Sequence, residues 1–357
     1  MGKLNFFQDQ PLFGLDIGHA RMKVMQLEIA PGRKPKVLGY GSGSYSPTAI
    51  SNGVITDYNH LARSLHDLFE ESMKGLISTK RVACTVPTAL TFSRPMKLPL
   101  MNDKDIMEAV HLEAEQYIPV PINNLYVDFD VAHRDDKGIE LLMVATPKVI
   151  IDSHVKFLQG VGLEPVAIEP TMNASSRFLS LNDAQQTKPS IMIDFGSVAI
   201  DLAVFDKTMY VNSTITEGVE NMIQLIAKKL DISLAKAYDF KNQYGISVSD
   251  RQAEAKEALK PVLDNLIREV RKITRYYDER VAGGTRKIEE VITLGGGATM
   301  PGLSEFLTAE LKLPTRMLDP WEKIDFGDLP SPEATEHPVY VTVAGQALLD
   351  PKGILHD

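Results

Sequence analysis

LFGLDIGHARMKVMQL (residues 12–27) and IMIDFGSVAIDLAVF (residues 191–205) carry one signature twice: an apolar strand runs into Asp-x-Gly and turns straight back into another strand. The two aspartates, Asp16 and Asp194, lie 178 residues apart (194 − 16), about half of the 357-residue chain. Each copy puts a carboxylate at a strand end and a glycine, Gly18 or Gly196, in a tight turn where backbone N–H groups can face an anion at close range. A single Asp-x-Gly is an ordinary turn. Two copies in matching halves point instead to a pair of hairpins that grip a nucleotide's phosphates from both sides of a cleft.

Working outward, residues 12–17, 22–29 and 36–45 read as a strand meander. Asp57 can cap a helix whose Leu61, Leu65, Leu68 and Phe69 share one face, and RVACTVP (81–87) is a buried strand ended by proline. The second half repeats this order with strands at 190–195, 199–206 and 208–215 and a helix from about Gly218. The repeat implies two similar α/β domains. Each half also holds an insertion. Residues 88–165 contain an edge-like strand, a helix, two strands and a helix at 148–160; residues 218–284 are helical throughout. The longest helix there carries Leu259, Val262, Leu263, Leu266, Val270, Ile273 and Tyr277 as an apolar stripe, with Arg268, Arg271, Lys272 and Arg275 on another side as a solvated face. The expected division is 1–87 with 166–188, then 88–165, then 189–217 with 285–357, and 218–284. The proline-rich, acidic WEKIDFGDLPSPEATEHP (321–338) reads as a surface loop, and Phe6 and Phe7 lie in a terminal tail.

Composition narrows the function. Apolar residues make up 44% and charged residues 24%, the balance of a globular protein with sizeable cores. No apolar run reaches the ~18–20 residues that span a bilayer, and no signal-peptide core is present. One cysteine, Cys84, excludes an intramolecular disulfide framework and reads as a small core residue in a reducing cytoplasm. A net charge of −9 argues against a nucleic-acid binder.

The chemistry-bearing residues cluster at five places. Asp16 and Asp194, opposed across a cleft, would hold Mg²⁺ mostly through water, and Lys23 on the outgoing strand could reach a phosphate. LGGGATMPGL (294–303) ends a strand in Gly295, Gly296 and Gly297, a flat shelf on which an adenosine could lie, with Pro301 at a helix start. AIEPTMNASSRFL (167–179) and YVTVAGQALL (340–349) offer small residues for a close helix crossing that would serve as a hinge. His111 and Glu115, at helical spacing, lack a third metal ligand and read as a surface pair.

These five elements, in this order, resemble the actin-like ATPase superfamily, which includes actin, the heat-shock chaperone ATPase domain, sugar kinases and FtsA. The segment EAVHLEAEQYIPVPINNLYVDFDV (108–131), with TEGVENMIQLIAKKL, IREVRKITRYYDER and GGGATMPGLSEFLTAELKLPTRMLDP, is similar to the PilM family of type IV pilus assembly proteins. The resemblance implies an α/β, actin-like (ribonuclease H-like) duplicated fold with an FtsA/PilM-type inserted subdomain and a nucleotide cleft between the halves. It implies ATP and Mg²⁺ as ligands, with nucleotide-binding positions at Asp16, Gly18, His19, Ala20, Lys23, Asp194, Gly196, Ser197, Val198, Glu217, Gly218, Asn221, Gly295, Gly296, Gly297 and Ala298.

As partners it implies the N-terminal cytoplasmic peptide of PilN, docked between the first core subdomain and the 88–165 insertion, with the pilus motor ATPases nearby. The chain would thus be cytoplasmic and held peripherally at the inner membrane through its partner, with a homo-oligomer left open. Two departures bear on catalysis. His19 stands where the family usually has serine, and Ser197 is followed by Val198, Ala199 and Ile200 where hydroxyls are usual. The expectation is therefore ATP binding with at most slow hydrolysis, Glu169 being the one obvious residue to position a water. An FtsA-like filament protein and a small-molecule kinase are the alternatives.

Overall fold

The computed structural model describes residues 11–182, 188–206, 208–281 and 286–350. Phe6 and Phe7 lie outside them, as do parts of the expected domain boundaries near 188 and 284.

The first signature folds into β1 (Phe13–Ile17) and β2 (Arg21–Glu28), an antiparallel hairpin extended by β3 (Lys36–Ser44). A small hairpin follows, β4 (Ile50–Ser51) and β5 (Val54–Ile55). Its turn is Asn52-Gly53, both at positive φ, the Asn-Gly chemistry that two-residue hairpins favour. Helix α1 (Tyr58–Asp67) is capped by Asp57, whose carboxylate accepts from His60 N at 2.9 Å. Then come β6 (Lys74–Gly75) and β7 (Arg81–Val86).

The insertion is β8 (Phe92–Leu98), α2 (Asp103–Tyr117), β9 (Leu125–Asp135), β10 (Gly138–Pro147) and α3 (Lys148–Gly160). Its three strands form a separate sheet in the order β8-β10-β9, covered by the buried Ile106, Val110 and Ala114 of α2. The chain returns through β11 (Glu164–Pro170) and α4 (Thr171–Asn182). The first main sheet reads β11-β7-β1-β2-β3-β6, with β7 parallel to both β1 and β11.

The second half contains β12 (Ser190–Phe195), β13 (Ile200–Asp206), β14 (Thr208–Ile215), α5 (Val219–Leu230), α6 (Leu234–Gln243), α7 (Gln252–Tyr276), β15 (Glu290–Leu294), α8 (Leu303–Leu311), β16 (Thr315–Met317) and α9 (Val341–Ala347). Its sheet reads β14-β13-β12-β15-β16, with β15 parallel to β12. The duplication is therefore topological: β3-β2-β1-β7 and β14-β13-β12-β15 are the same four-strand arrangement. The register repeats too, since Asp16 pairs with Lys23 and Asp194 with Asp201, seven residues on in both halves.

Packing follows the apolar pattern. The predicted stripe of α7, from Leu259 to Tyr277, is buried against β12, β13 and α5 in the core of the second half, each fully buried leucine or isoleucine stabilising by about 1.5–3 kcal/mol. The opposite face leaves Arg268, Arg271, Lys272 and Arg275 exposed. Helices α4 and α9 cross so closely that a Cβ on Gly345 would lie 1.8 Å from Ala174 O, and Ser175 Oγ meets Thr342 Oγ1 at 3.1 Å. The small residues at 167–179 and 340–349 are what permit this approach.

One local expectation is corrected and another is extended. Pro301 sits in a turn and α8 begins at Leu303, because Gly302 at φ 82° breaks the chain direction first. Residues 321–338 are a largely exposed loop, as expected, and this loop also forms a strap from the second sheet over the first. Val37 N donates to Asp325 O at 2.8 Å and Asp325 N to Pro35 O at 2.9 Å, so the strap adds to the edge of β3. Trp321, Phe326, Tyr40 and Tyr340 then interlock edge-to-face at 4.7–5.6 Å between Trp321–Phe326, Tyr40–Phe326 and Tyr40–Tyr340. The prolines and acids of the segment mask a small aromatic cluster that is completed by Tyr340 and, from the other half, by Tyr40. Among the described residues no helix is long and apolar enough to cross a membrane.

Candidate functional site

The duplicated register brings four ionisable groups to one place. Asp16 is buried on β1, where Lys23 Nζ donates to its Oδ2 at 2.5 Å and Thr85 Oγ1, from β7, donates to its Oδ1 at 2.8 Å. The ammonium expected to reach for phosphate is thus spent on Asp16. In the second half the equivalent pair is Asp194 with Asp201, two acids instead of an acid and a base. Burial pushes Asp194 up to about 7, with the charges of Asp201 and Asp16 adding to the rise and Lys23 opposing it. Burial likewise lifts Asp201 to about 6, with the Thr214 hydroxyl bonded to it acting the other way. Asp16 therefore acts on Asp194 across the boundary between the halves, and the cleft floor holds three carboxylates against one lysine.

Above this floor lie the two hairpin tips. Gly18 N closes the first turn onto Arg21 O at 3.0 Å, and the Tyr45 hydroxyl donates to Gly18 O. His19 is exposed, and Ala20 and Gly18 half-buried. At the second tip, Gly196 approaches Ala199 O so closely that a Cβ would lie 2.9 Å away. The amides of His19, Ala20, Ser197 and Val198 donate to no group among the described residues. Helix α5 abuts this tip: Val219 N donates to Gly196 O at 3.0 Å and Glu220 N to Ser197 O at 2.9 Å. Gly218, the N-cap residue, is buried against the hairpin; Glu217 and Asn221 flank it, both half-buried.

The glycine turn after β15 closes the group. Gly295, at φ 80°, lies against Asp194, where a Cβ would come within 2.1 Å of Oδ1. Gly297 N donates to Phe195 O at 3.0 Å, so Gly295 and Gly297 pack the turn onto β12. Gly296 is exposed, a Cβ there meeting Val339 Cγ2 at an ordinary 3.9 Å, and Ala298 is buried. Only the middle glycine thus presents a bare backbone. Glu169, at the end of β11, is engaged on both oxygens by Arg177, at 2.6 and 2.7 Å, and Arg177 also reaches Gly345 O at 2.9 Å. This fork ties β11 and α4 to α9 and engages both carboxylate oxygens in a charge-assisted pair.

Sequence reasoning missed Thr85, Tyr45, Asp201, Glu220 and Arg177. Asp201 had a signal, its position seven residues after Asp194. The others are set by strand order and helix approach, which no local pattern states. His111 and Glu115 are exposed on α2, and among the described residues no group of three or more His, Cys, Asp or Glu is placed to hold a metal.

Three solved structures share this architecture. One described as the PilM-PilN type IV pilus biogenesis complex is 22% identical, covers 97% of this chain and 99% of its own, and has a TM-score of 0.81. The ethanolamine utilization protein EutJ from Carboxydothermus hydrogenoformans is 17% identical over 96% and 91%, at 0.55. MreB5 of Spiroplasma citri, bound to ADP, is 13% identical over 95% of both chains, at 0.56. The fold is thus the actin-like α/β one. The family model for type IV pilus assembly protein PilM matches residues 14–350, and the chain belongs to that family.

Proposed function

We propose that this protein is an ATP-binding adaptor of the type IV pilus assembly platform that docks the N-terminal cytoplasmic peptide of PilN and turns ATP over slowly or not at all. The observation that carries the nucleotide half is the meeting of the two Asp-x-Gly tips, with four backbone amides of His19, Ala20, Ser197 and Val198 unspent. Unspent N–H groups in paired turns are a site for anions such as phosphates. The residues also fit Mg²⁺. Asp194, ionising near neutrality among other carboxylates, is the group a divalent cation would relieve, and water would complete the coordination because Asp16 is already bonded to Lys23 and Thr85. Gly296 would face the adenosine.

Slow hydrolysis is supported by Glu169, whose carboxylate is committed to a fork with Arg177. The partner half is supported by the 22% identical relative described as a PilM-PilN complex. On this chain the junction of the first core subdomain and the insertion carries an exposed Val149 and the exposed Tyr126, whose hydroxyl donates to Asp152 at 2.9 Å. Strand β9 pairs only with β10 among the described residues, so its outer edge can accept an extended peptide. Attachment to the inner membrane would then run through PilN.

Calorimetric titration tests both halves. Mg-ATP and a synthetic peptide of the PilN N-terminus from the same organism should each bind the purified protein. Steady-state turnover should be slow and unchanged in E169Q. Absence of peptide binding with and without Mg-ATP would remove the adaptor reading, and fast turnover abolished in E169Q would make this an ATPase.

A further inference from the structure

The two hairpin tips already hold an anion, and it belongs to the chain. Glu220, in the first turn of α5, accepts through Oε1 a hydrogen bond from Ser197 Oγ at 2.6 Å, and the same oxygen lies 3.8 Å from His19 Nε2. Ser197 is part of the second tip and His19 part of the first. One carboxylate oxygen is therefore bonded to the second tip and faces the first at ion-pair distance, a contact that is electrostatic only while His19 is protonated.

The backbone fixes this placement. Glu220 N is bonded to Ser197 O, Val219 N to Gly196 O, and a Cβ on Gly218 would lie 2.4 Å from Ser197 O and 2.6 Å from Ala199 N. The first turn of α5 is thus locked to the second hairpin, which places the Glu220 backbone beside the tips. A carboxylate at this end of a helix is also favoured by the helix dipole. The hydroxyl that would serve a phosphate now serves Glu220 and the imidazole stands beside it, near Asp16, Asp194 and Asp201, which outnumber Lys23.

We propose that Glu220 is a resident anion of the phosphate site. It links the hairpin tips when no nucleotide is bound, has to release them before phosphates can enter, and so sets the strength and the charge preference of nucleotide binding. The affinity half rests on the ATP-binding reading above; the cleft-closing half does not. Removing the charge strengthens binding of ATP more than of ADP, since ATP brings one more negative charge to the same tips. Both side chains of the His19–Glu220 pair are part-exposed, at 33% and 48%, which limits the gain to about fivefold.

Two measurements on the full-length chain separate the halves. Spin labels at R63C on α1 and A253C on α7, both exposed, report the distance across the cleft without nucleotide; Cys84 is buried and stays unlabelled. E220A should broaden and lengthen that distance, with E220Q intermediate because its amide can still accept from Ser197. Calorimetric titration should then show ATP binding about fivefold tighter to E220Q than to the unaltered protein, with a smaller change for ADP. An unchanged distance in E220A overturns the latch whatever ATP does. Weaker or equal ATP binding in E220Q overturns the resident anion, the weaker case making Glu220 a nucleotide contact. A changed distance with no nucleotide bound by any variant keeps the latch and removes the ATP reading.

Discussion

Replacing Asp194 by asparagine should stabilise the ligand-free protein at pH 8 and flatten its stability against pH. In the folded chain the carboxyl is lifted from 3.8 to about 7, by burial first and then by Asp201 and Asp16. A folded-state pKa above the unfolded one means the native state binds the extra proton, so stability is highest below about pH 4 for this group and falls as pH rises through 7. At about 1.36 kcal/mol for each tenfold change in proton affinity, ionised Asp194 costs the fold about 4 kcal/mol at pH 8. At roughly 2 °C for each kcal/mol in a chain of this size, that is a melting temperature lower by about 8 °C at pH 8 than at pH 4 from this group alone. D194N keeps the shape and removes the titration. Thermal unfolding followed by circular dichroism at pH 5, 6, 7 and 8 reads the difference: the unaltered protein should lose stability across that range and D194N much less, leaving the variant the more stable at pH 8. Parallel curves for the two proteins, or a D194N that melts lower at pH 8, would refute the argument that this carboxylate is held at a cost.

Two further outcomes follow from packing. G345A at the α4–α9 crossing should destabilise by about 3 kcal/mol, seen in thermal or urea unfolding, because the new methyl meets Ala174 O and one helix has to move; G160A, with open space around it, should change stability by under about 1 kcal/mol. W321A should cost about 2–3 kcal/mol and speed hydrogen exchange at the amides of Val37 and Asp325, since the aromatic cluster holds the strap on β3; exchange unchanged at those two amides would mean that the backbone pairing alone holds it.

How much was legible in the chain can be judged element by element. The doubled Asp-x-Gly fixes two hairpins because its information is local: a strand, a carboxylate, a glycine turn and a strand lie within about sixteen residues. The stripe from Leu259 to Tyr277 likewise predicts its own burial, since helical period alone selects the face. The docking of the strap 321–338 is not legible because Trp321 and Phe326, which pack on each other, meet Tyr40 and Tyr340 from outside the segment.

The sequence by itself determined the duplication, the two turns and the family. The tertiary structure decided what the charged groups are doing there. It spent Lys23 on Asp16, set Asp194 beside Asp201, locked Glu169 to Arg177 and carried Glu220 to both hairpin tips. Whether a carboxylate is a ligand, a latch or a structural tie depends on which charge lies a few ångströms away and how much water is excluded, and distances between remote segments are not written in either one.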